Sequence, residues 1–309
     1  MRGRLDPQLE EFIGTVNVAA AEAKASGLVL TPEMARANLQ KLSAFMTTSP
    51  DIAKTANRVI SVQGHNVAVR VYSPKPDSAL PVFVYFHGGG HMCGDVELYD
   101  PMCRRFALNG KCVVVSVDYR LAPEYPYPIG LDDCELALRH YKQALDGFAH
   151  TEEVIIGGDS AGGAISTSLT MRRMLGSDLK IDKQVLIYPS VDYTGSTESY
   201  QSNGTGYLLE NTRIKWYFDH YFANHEDRQS ASPLFNEINQ LAPKSLVITA
   251  GCDPLRDEGL AYASKLKAAG VEVQHLGFDG MIHAFMNIED LVPNQCSELH
   301  KCIGEFIRS

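Results

Sequence analysis

Apolar residues near the start of the chain recur at the spacing of an amphipathic helix. Asp6 followed by Pro7 is typical of a helix start, because aspartate caps free backbone N–H groups and proline is tolerated at the first helical position. The pair Thr31-Pro32 repeats this signal and predicts a second helix. The two apolar stripes are Leu9, Phe12, Ile13 and Val16, followed by Ala35, Leu39, Leu42 and Met46.

Further along the chain the period of the pattern changes. Val67, Val69 and Val71 alternate with other residues, which predicts a strand with one buried face. Short apolar runs, each suited to a buried strand, then alternate with helical stretches. The predicted strands are 82–86, 112–117, 154–156, 185–187, 246–249 and 271–276, and the predicted helices are 101–109, 131–145 and 161–175. This alternation predicts the α/β class, with a mostly parallel central sheet flanked by helices.

One interval, from about residue 193 to residue 242, interrupts this rhythm. It is too long for an ordinary connection, and it contains an aromatic, helix-like segment at 216–222. We interpret it as an insertion that forms a helical cap over one end of the sheet together with residues 1–50. No repeat or flexible linker separates these parts, so we expect residues 1–309 to form a single domain.

Composition narrows the classes of function. The 309 residues carry a net charge of −9 and no run rich in lysine or arginine, which argues against a nucleic-acid partner. No apolar run is long enough to span a membrane, and the first residues lack the apolar core of a secretory signal. The seven cysteines are scattered, without a Cys-x-x-Cys pair, so we expect a reducing cytoplasm and neither a disulfide framework nor a zinc site.

The strongest chemical signal is the segment Gly158-Asp159-Ser160-Ala161-Gly162, between a predicted strand and a predicted helix. Glycines at both ends allow a sharp strand-to-helix turn, which exposes the serine hydroxyl at the edge of the sheet. The amide of Ala161 lies at the helix start, where free N–H groups favour negative charge. We predict that Ser160 is a nucleophile.

A second signal is His87-Gly88-Gly89-Gly90, directly after the strand at 82–86. Three glycines leave backbone amides unshielded, as an oxyanion hole requires. A dinucleotide fingerprint needs glycine where Cys93 stands, and a phosphate loop beginning at residue 157 needs lysine where residue 163 is glycine. The glycines between His87 and His91 disfavour a helical metal pair. A flexible turn without a catalytic role remains the alternative.

A serine nucleophile needs a base and a carboxylate that orients the base. Asp253 follows the strand at 246–249, and His283 lies in a loop after the strand at 271–276. The order serine, aspartate, histidine is the one expected when each residue follows a different strand of such a sheet. Among the competing acids, we expect Asp257 to cap the helix that starts near residue 258 and Asp279 to lie in a turn.

Five segments together resemble the bacterial hormone-sensitive-lipase-type (family IV) esterases of the α/β-hydrolase fold, close to the acetyl esterases. They occur in order between about residues 60 and 300, and they are His87-Gly88-Gly89-Gly90 and residues 118–124, 158–163, 253–259 and 283–285. The resemblance implies Ser160 as nucleophile, His283 as base and Asp253 as orienting acid. It also implies oxyanion donors from Gly88, Gly89, Gly90 and Ala161.

His87 and Asp159 belong to the same motifs without a role assigned by the sequence. The chain departs from many relatives at His91, where an aromatic residue is usual, and at residues 164–166. In the segment 118–124, we expect Arg120 and Glu124 to form a buried structural pair behind the active-site loops.

The resemblance implies a serine carboxylesterase that acts on small-molecule esters, with no metal or cofactor. We further expect a preference for short acyl groups, because a covered pocket has a fixed depth. A non-catalytic binding protein on this fold, similar to the gibberellin receptors, is disfavoured because His283 is present. A lyase similar to the isoflavanone dehydratases has threonine where Ser160 stands here. The sequence leaves the natural ester open, and also the choice between a monomer and a homodimer.

Overall fold

A computed structural model describes residues 1–309, and its centre is one eight-stranded sheet with the strand order β1-β2-β4-β3-β5-β6-β7-β8. The first two strands pair antiparallel with each other, β2 pairs antiparallel with β4, and the remaining pairs are parallel. The strands are β1 (Lys54–Val62), β2 (His65–Ser73), β3 (Leu80–Phe86), β4 (Val113–Asp118), β5 (His150–Asp159), β6 (Lys183–Ile187), β7 (Lys244–Cys252) and β8 (Val273–Ile282).

Helices cover both faces of this sheet. They are α1 (Glu10–Ala25), α2 (Pro32–Gln40), α3 (Asp100–Gly110), α4 (Ile129–His140), α5 (Ala161–Met174), α6 (Glu198–Ser202), α7 (Asn211–Tyr221), α8 (Arg228–Ala231), α9 (Arg256–Ala268) and α10 (Pro293–Arg308). None of these helices is long and apolar enough to cross a membrane.

Strand β3 shows why helices are needed on both sides. Its successive side chains point to opposite faces, and from Val82 to Phe86 both sets are hydrophobic and fully buried. Phe83 and Tyr85 belong to the core packed under α3 and α10, whereas Val82 and Val84 belong to the core packed under α4 and α5. The predicted α/β architecture, with a mostly parallel sheet flanked by helices, is therefore confirmed.

The sheet and the helices on its two faces form a three-layer sandwich. Two segments outside this sandwich, the N-terminal segment and the insertion, meet above the carboxyl ends of the parallel strands. The backbone N–H of Gly3 donates to Asn203 Oδ1 at 2.9 Å, and Arg2 Nε donates to the Tyr207 hydroxyl at 3.1 Å. The predicted aromatic helix of the insertion is α7, which lies in the connection between β6 and β7. The N-terminal segment and the insertion are thus in direct contact, although about 200 residues separate them in the chain.

Three local expectations were wrong or incomplete. Asp279 lies inside β8, not in a turn. Strand β1 had no clear apolar pattern because it is an edge strand that pairs only with β2, and Ile60 is its one buried residue. The helix α10 was also not predicted, although Leu299, Ile303 and Phe306 form its buried face.

The expected pair of Arg120 and Glu124 does not form. Arg120 donates instead to the buried carboxylate of Asp133, with Nε 2.8 Å from Oδ2 and Nη2 2.7 Å from Oδ1. Glu124 is half-exposed and pairs with Arg36 of α2. Asp133 and Glu124 both lie near the segment after β4 that carries Arg120, and only the three-dimensional packing decides which cation each carboxylate meets.

Candidate active site

The predicted nucleophile lies at the sharp turn between β5 and α5. Ser160 has φ 54° and ψ −116°, a conformation that residues with a side chain rarely adopt. The turn is held because the Ser160 amide donates to the Ile187 carbonyl at 2.9 Å, and because Gly162 packs directly on the Phe86 carbonyl, where a Cβ atom would clash. The serine hydroxyl is left partly exposed at the carboxyl end of the sheet.

The structure brings together the three residues predicted as a catalytic set. His283 Nε2 lies 2.8 Å from Ser160 Oγ, and His283 Nδ1 lies 2.8 Å from Asp253 Oδ2. With the imidazole proton on Nδ1, the ring donates to the carboxylate and accepts from the serine hydroxyl. The three side chains follow the carboxyl ends of β5, β7 and β8, which all lie at the same edge of the sheet because these strands run parallel.

Burial and packing hold the base and the acid in place. Asp253 is fully buried and His283 is 5% exposed, so water cannot replace either partner. The second oxygen of Asp253 accepts from the Leu255 amide at 2.8 Å. The Tyr188 ring lies 4.8 Å from the His283 ring, centroid to centroid, and restricts its rotation. The arrangement can move a proton from Ser160 to His283 and stabilise the imidazolium that results.

One of the four amides predicted as oxyanion donors is already engaged within the chain. The backbone amides of Gly89, Gly90 and Ala161 donate no hydrogen bond within the chain. The Gly88 amide, in contrast, donates to Asp159 Oδ1 at 2.8 Å. Because this N–H is already engaged, Gly88 is removed from the set of candidate donors.

The turn at Gly89 depends on glycine. Its φ is +114°, and a Cβ atom there would clash with the Cys93 carbonyl. The amides of Met92 and Cys93 both donate to the Gly89 carbonyl, at 3.1 and 2.9 Å, so the loop closes on itself. The ring of Tyr217, from α7, packs against Gly90 from outside. We call residues 88–93 the glycine loop.

Asp159 is buried directly beneath the glycine loop. Its Oδ1 accepts from the Tyr85 hydroxyl at 2.6 Å and from the Gly88 amide, and its Oδ2 accepts from the Tyr99 hydroxyl at 3.2 Å. Burial raises the pKa of this carboxyl, while these donors oppose the shift. Asp159 therefore connects the turn that carries Ser160 with the glycine loop.

The two histidines of the glycine motif are packing residues. His87 is stacked between the rings of Tyr99 and Tyr119, and burial lowers its pKa to about 4. His91 is stacked on Tyr221 at 3.8 Å and lies 3.2 Å from the Tyr193 hydroxyl, and burial lowers its pKa to about 3. The departure at His91 therefore fills an aromatic cluster.

The competing acids lie outside the hydrogen-bonded set. Asp257 is in the first turn of α9, whose N-cap is Leu255, so the predicted capping role is wrong. Its carboxylate accepts from the Ser199 amide at 2.9 Å and pairs with Arg256. Asp279 is exposed on β8. No group of three or more histidine, cysteine, aspartate or glutamate side chains is arranged to hold a metal ion.

Several contacts around the site were not predicted from the sequence. Glu258 is fully buried, accepts from the amides of Val191 and Asp192, and has a pKa raised by that burial. Arg36 and Tyr217 contact the glycine loop from the two segments outside the sandwich. Tyr217 lies in the predicted aromatic segment, but that pattern does not reveal its contact with Gly90. A charged residue at a helical position, such as Arg36 or Glu258, likewise gives no sign of its partner.

Comparison with known proteins places these features in context. A sequence profile of the alpha/beta hydrolase fold matches residues 83–287. The ethyl acetate hydrolase of Pseudomonas putida is 30% identical over 299 residues, which cover 93% of this chain and 94% of that protein. Carboxylesterase NlhH of Mycobacterium tuberculosis is 34% identical over 301 residues, with 94% and 92% covered.

Solved structures agree over almost the full length. An ester hydrolase from the metagenome of Lake Arreo, complexed with a bipyridine phosphonate derivative, has a TM-score of 0.88 at 31% identity, and 98% of each chain is covered. A hyperthermophilic esterase from the archaeon Pyrobaculum calidifontis has a TM-score of 0.85 at 33% identity, with 99% of this chain and 98% of that chain covered.

Proposed function

Because the chain belongs to the hormone-sensitive-lipase-type esterases of the α/β-hydrolase fold, we propose that it hydrolyses carboxylic esters with Ser160 as nucleophile, His283 as base and Asp253 as orienting acid. It is a serine carboxylesterase of small-molecule esters. The observation that carries the residue assignment is the chain of two 2.8 Å hydrogen bonds from Asp253 through His283 to Ser160.

The first half of the reaction forms an acyl-enzyme. His283 Nε2 takes the hydroxyl proton as Ser160 Oγ attacks the ester carbonyl, and the carbonyl oxygen becomes an oxyanion. The bond to the alcohol oxygen then breaks, and the departing alkoxide takes the proton from His283. In the second half, water gives a proton to His283 and attacks the acyl carbon. The carboxylic acid leaves as Ser160 recovers its proton.

The oxyanion is held by the amides of Gly89, Gly90 and Ala161 in this proposal. Each such donor contributes about 3 kcal/mol to transition-state stabilisation in comparable sites. The free N–H groups at the start of α5 add the favourable field of a helix N-terminus. Asp159 supports these donors indirectly, since it fixes the Gly88 amide beside them.

We further propose that the cap consists of residues 1–50 and 193–242 and that it limits the acyl pocket to short chains of about C2 to C6. The contacts of Gly3 with Asn203 and of Tyr217 with Gly90 support this division, because they join the two segments to each other and to the glycine loop. Each methylene group gains about 0.8 kcal/mol on burial only while the pocket has room.

The alternatives on the same fold predict different behaviour. A binding protein would hydrolyse nothing, and a lyase would not need Ser160 to form a covalent intermediate. Ser160 and His283 are both present and hydrogen-bonded, which favours the hydrolase. For the cellular setting, we propose the cytoplasm on the grounds that all seven cysteines are free and six are buried. A homodimer remains a prediction that sedimentation velocity tests.

Ser160→Ala tests the assignment of the nucleophile. We expect kcat for p-nitrophenyl acetate to fall by at least about 10³-fold with little change in Tm, because the turn is held by backbone contacts. Ser166→Ala is the matched control, since Ser166 lies on the same helix and bonds only the Gly162 carbonyl. A phosphonate ester should label the native enzyme once, at Ser160. Activity of Ser160→Ala within tenfold of the native enzyme would contradict the proposal.

A further inference from the structure

Arg36 of α2 reaches from the N-terminal segment to the glycine loop. Its Nε donates to the Met92 carbonyl at 3.0 Å, and its Nη2 donates to the Ala122 carbonyl at 3.0 Å. The same guanidinium pairs with Glu124, with Nη1 2.9 Å from Oε1. One side chain therefore bridges two loops that both follow strands of the sheet, β3 and β4.

The two loops have only one other direct backbone link at this point. The Ala122 amide donates to the His91 carbonyl at 2.9 Å. The two carbonyl bonds of Arg36 lie on either side of that link. Met92 is the residue after His91, and Ala122, which donates its amide to His91, offers its carbonyl to Arg36. The guanidinium is a planar group with five donors in fixed directions, so it can hold both carbonyls and the carboxylate at once.

The Met92 carbonyl lies close in the chain to the candidate oxyanion donors. Met92 is two residues after Gly90, and its amide closes the loop on the Gly89 carbonyl at 3.1 Å. Met92 is fully buried against Ala35 of α2, so the helix that supplies Arg36 also packs on the tip of the loop. A shift of the Met92 peptide would therefore be transmitted to the Gly89 and Gly90 amides.

We propose that Arg36 is a positioning residue for the oxyanion hole, which sets the Gly89 and Gly90 amides through the Met92 and Ala122 carbonyls. The proposal rests on the oxyanion role of those amides in the proposed function. The two hydrogen bonds to carbonyl groups position the loop in this proposal, and the ion pair of Arg36 with Glu124 does not. Glu124 is half-exposed, where an ion pair contributes little, whereas the carbonyl bonds join segments next to the reacting centre.

The test compares Arg36→Ala, Arg36→Lys and Glu124→Gln with the native enzyme. Arg36→Ala should lower kcat for p-nitrophenyl butyrate by about 10- to 30-fold, less than the loss of a whole oxyanion donor, and should change KM by less than about threefold. Arg36→Lys should recover part of kcat, because an ammonium group can reach one carbonyl but not both. Glu124→Gln should stay within about threefold of native kcat, since it leaves both carbonyl bonds.

A trifluoromethyl ketone gives the readout that a purely structural role would not move. It forms a tetrahedral adduct with an oxyanion, so its Ki should rise by the same factor by which kcat/KM falls in Arg36→Ala. Native kcat and Ki in folded Arg36→Ala would overturn the proposal, and so would equal losses in Glu124→Gln and Arg36→Ala. If Arg36→Ala does not fold, Arg36→Gln replaces it with the same limits.

The failure of this proposal differs from the failure of the proposed function. If the native enzyme binds the ketone and Arg36→Ala is unchanged, Arg36 has no positioning role and the nucleophile assignment stands. If the native enzyme forms no ketone adduct, or Ser160→Ala remains active, the nucleophile or the oxyanion hole is misassigned, and the role of Arg36 is overturned with it.

Discussion

Replacing Asp253 by asparagine should reduce kcat while leaving the fold intact. The carboxylate has two partners, the His283 Nδ1 at 2.8 Å through Oδ2 and the Leu255 amide at 2.8 Å through Oδ1. An asparagine that keeps its oxygen on the Leu255 amide must point its NH₂ group at Nδ1. A donor facing Nδ1 favours the tautomer with the proton on Nε2, and that tautomer cannot accept the Ser160 proton.

The size of the effect follows from burial. Asp253 is 0% exposed and His283 is 5% exposed, so water can neither replace the negative charge of the carboxylate nor accept the Nδ1 proton in its place. Comparable asparagine substitutions lower kcat by about 10⁴-fold. At about 1.36 kcal/mol for each factor of ten, this corresponds to about 5.4 kcal/mol of transition-state stabilisation.

The assay is the saturating rate with p-nitrophenyl acetate at pH 8, together with circular dichroism and Tm. Asp257→Asn is the control, because Asp257 lies on the next helix and bonds Ser199 and Arg256 instead of the histidine. We expect its kcat to stay within about threefold of the native value. A loss smaller than about 100-fold in folded Asp253→Asn, or a larger loss in Asp257→Asn, would refute the placement of the acid.

Three further outcomes are expected. In a p-nitrophenyl ester series from C2 to C16, kcat/KM should peak at about C2 to C6, because each methylene group gains binding free energy only while the pocket has room to bury it. Deletion of residues 1–48 should flatten that preference or prevent folding. A maximum at C10 or longer in the native enzyme would contradict the closed pocket. Asp159→Asn should lower kcat and reduce the free energy of unfolding by about 1–3 kcal/mol, measured in urea. An asparagine that keeps its oxygen on Tyr85 and Gly88 turns its NH₂ group toward the Tyr99 hydroxyl, which can no longer donate there, and its neutral oxygen accepts more weakly than the carboxylate. Native stability and kcat would count against this reasoning. His300 is buried without a hydrogen-bond partner, and burial lowers its pKa to about 3. Below pH 6.5 the unfolded chain therefore binds a proton at this residue that the folded chain does not, so the free energy of unfolding falls as the pH falls from 6.5 toward 3. Between pH 8 and pH 5, His300→Leu should lose about 2 kcal/mol less of that free energy than the native protein, and an equal loss would be the contrary result.

Much of the site could be predicted from the sequence because its determinants are local. The turn at Ser160 needs glycine within two residues on either side, and its strand and helix carry their own periodicity. Ser160, Asp253 and His283 each follow a predicted strand, and parallel strands bring their carboxyl ends to the same edge of the sheet, so the three residues were expected to meet there. These are properties of short segments and of strand direction, and neither requires knowledge of distant contacts.

The tertiary structure alone decided which groups become partners. The Gly88 amide looks like any other free amide in sequence, yet it is occupied by Asp159, which lies 71 residues further along the chain. Arg120 meets Asp133 and not Glu124, and Glu124 meets Arg36 of the N-terminal segment. Such choices depend on distances of a few ångströms between different elements of the fold. A backbone N–H that already donates to one acceptor is not free to donate to another. A small difference in packing therefore changes which amide is available for catalysis.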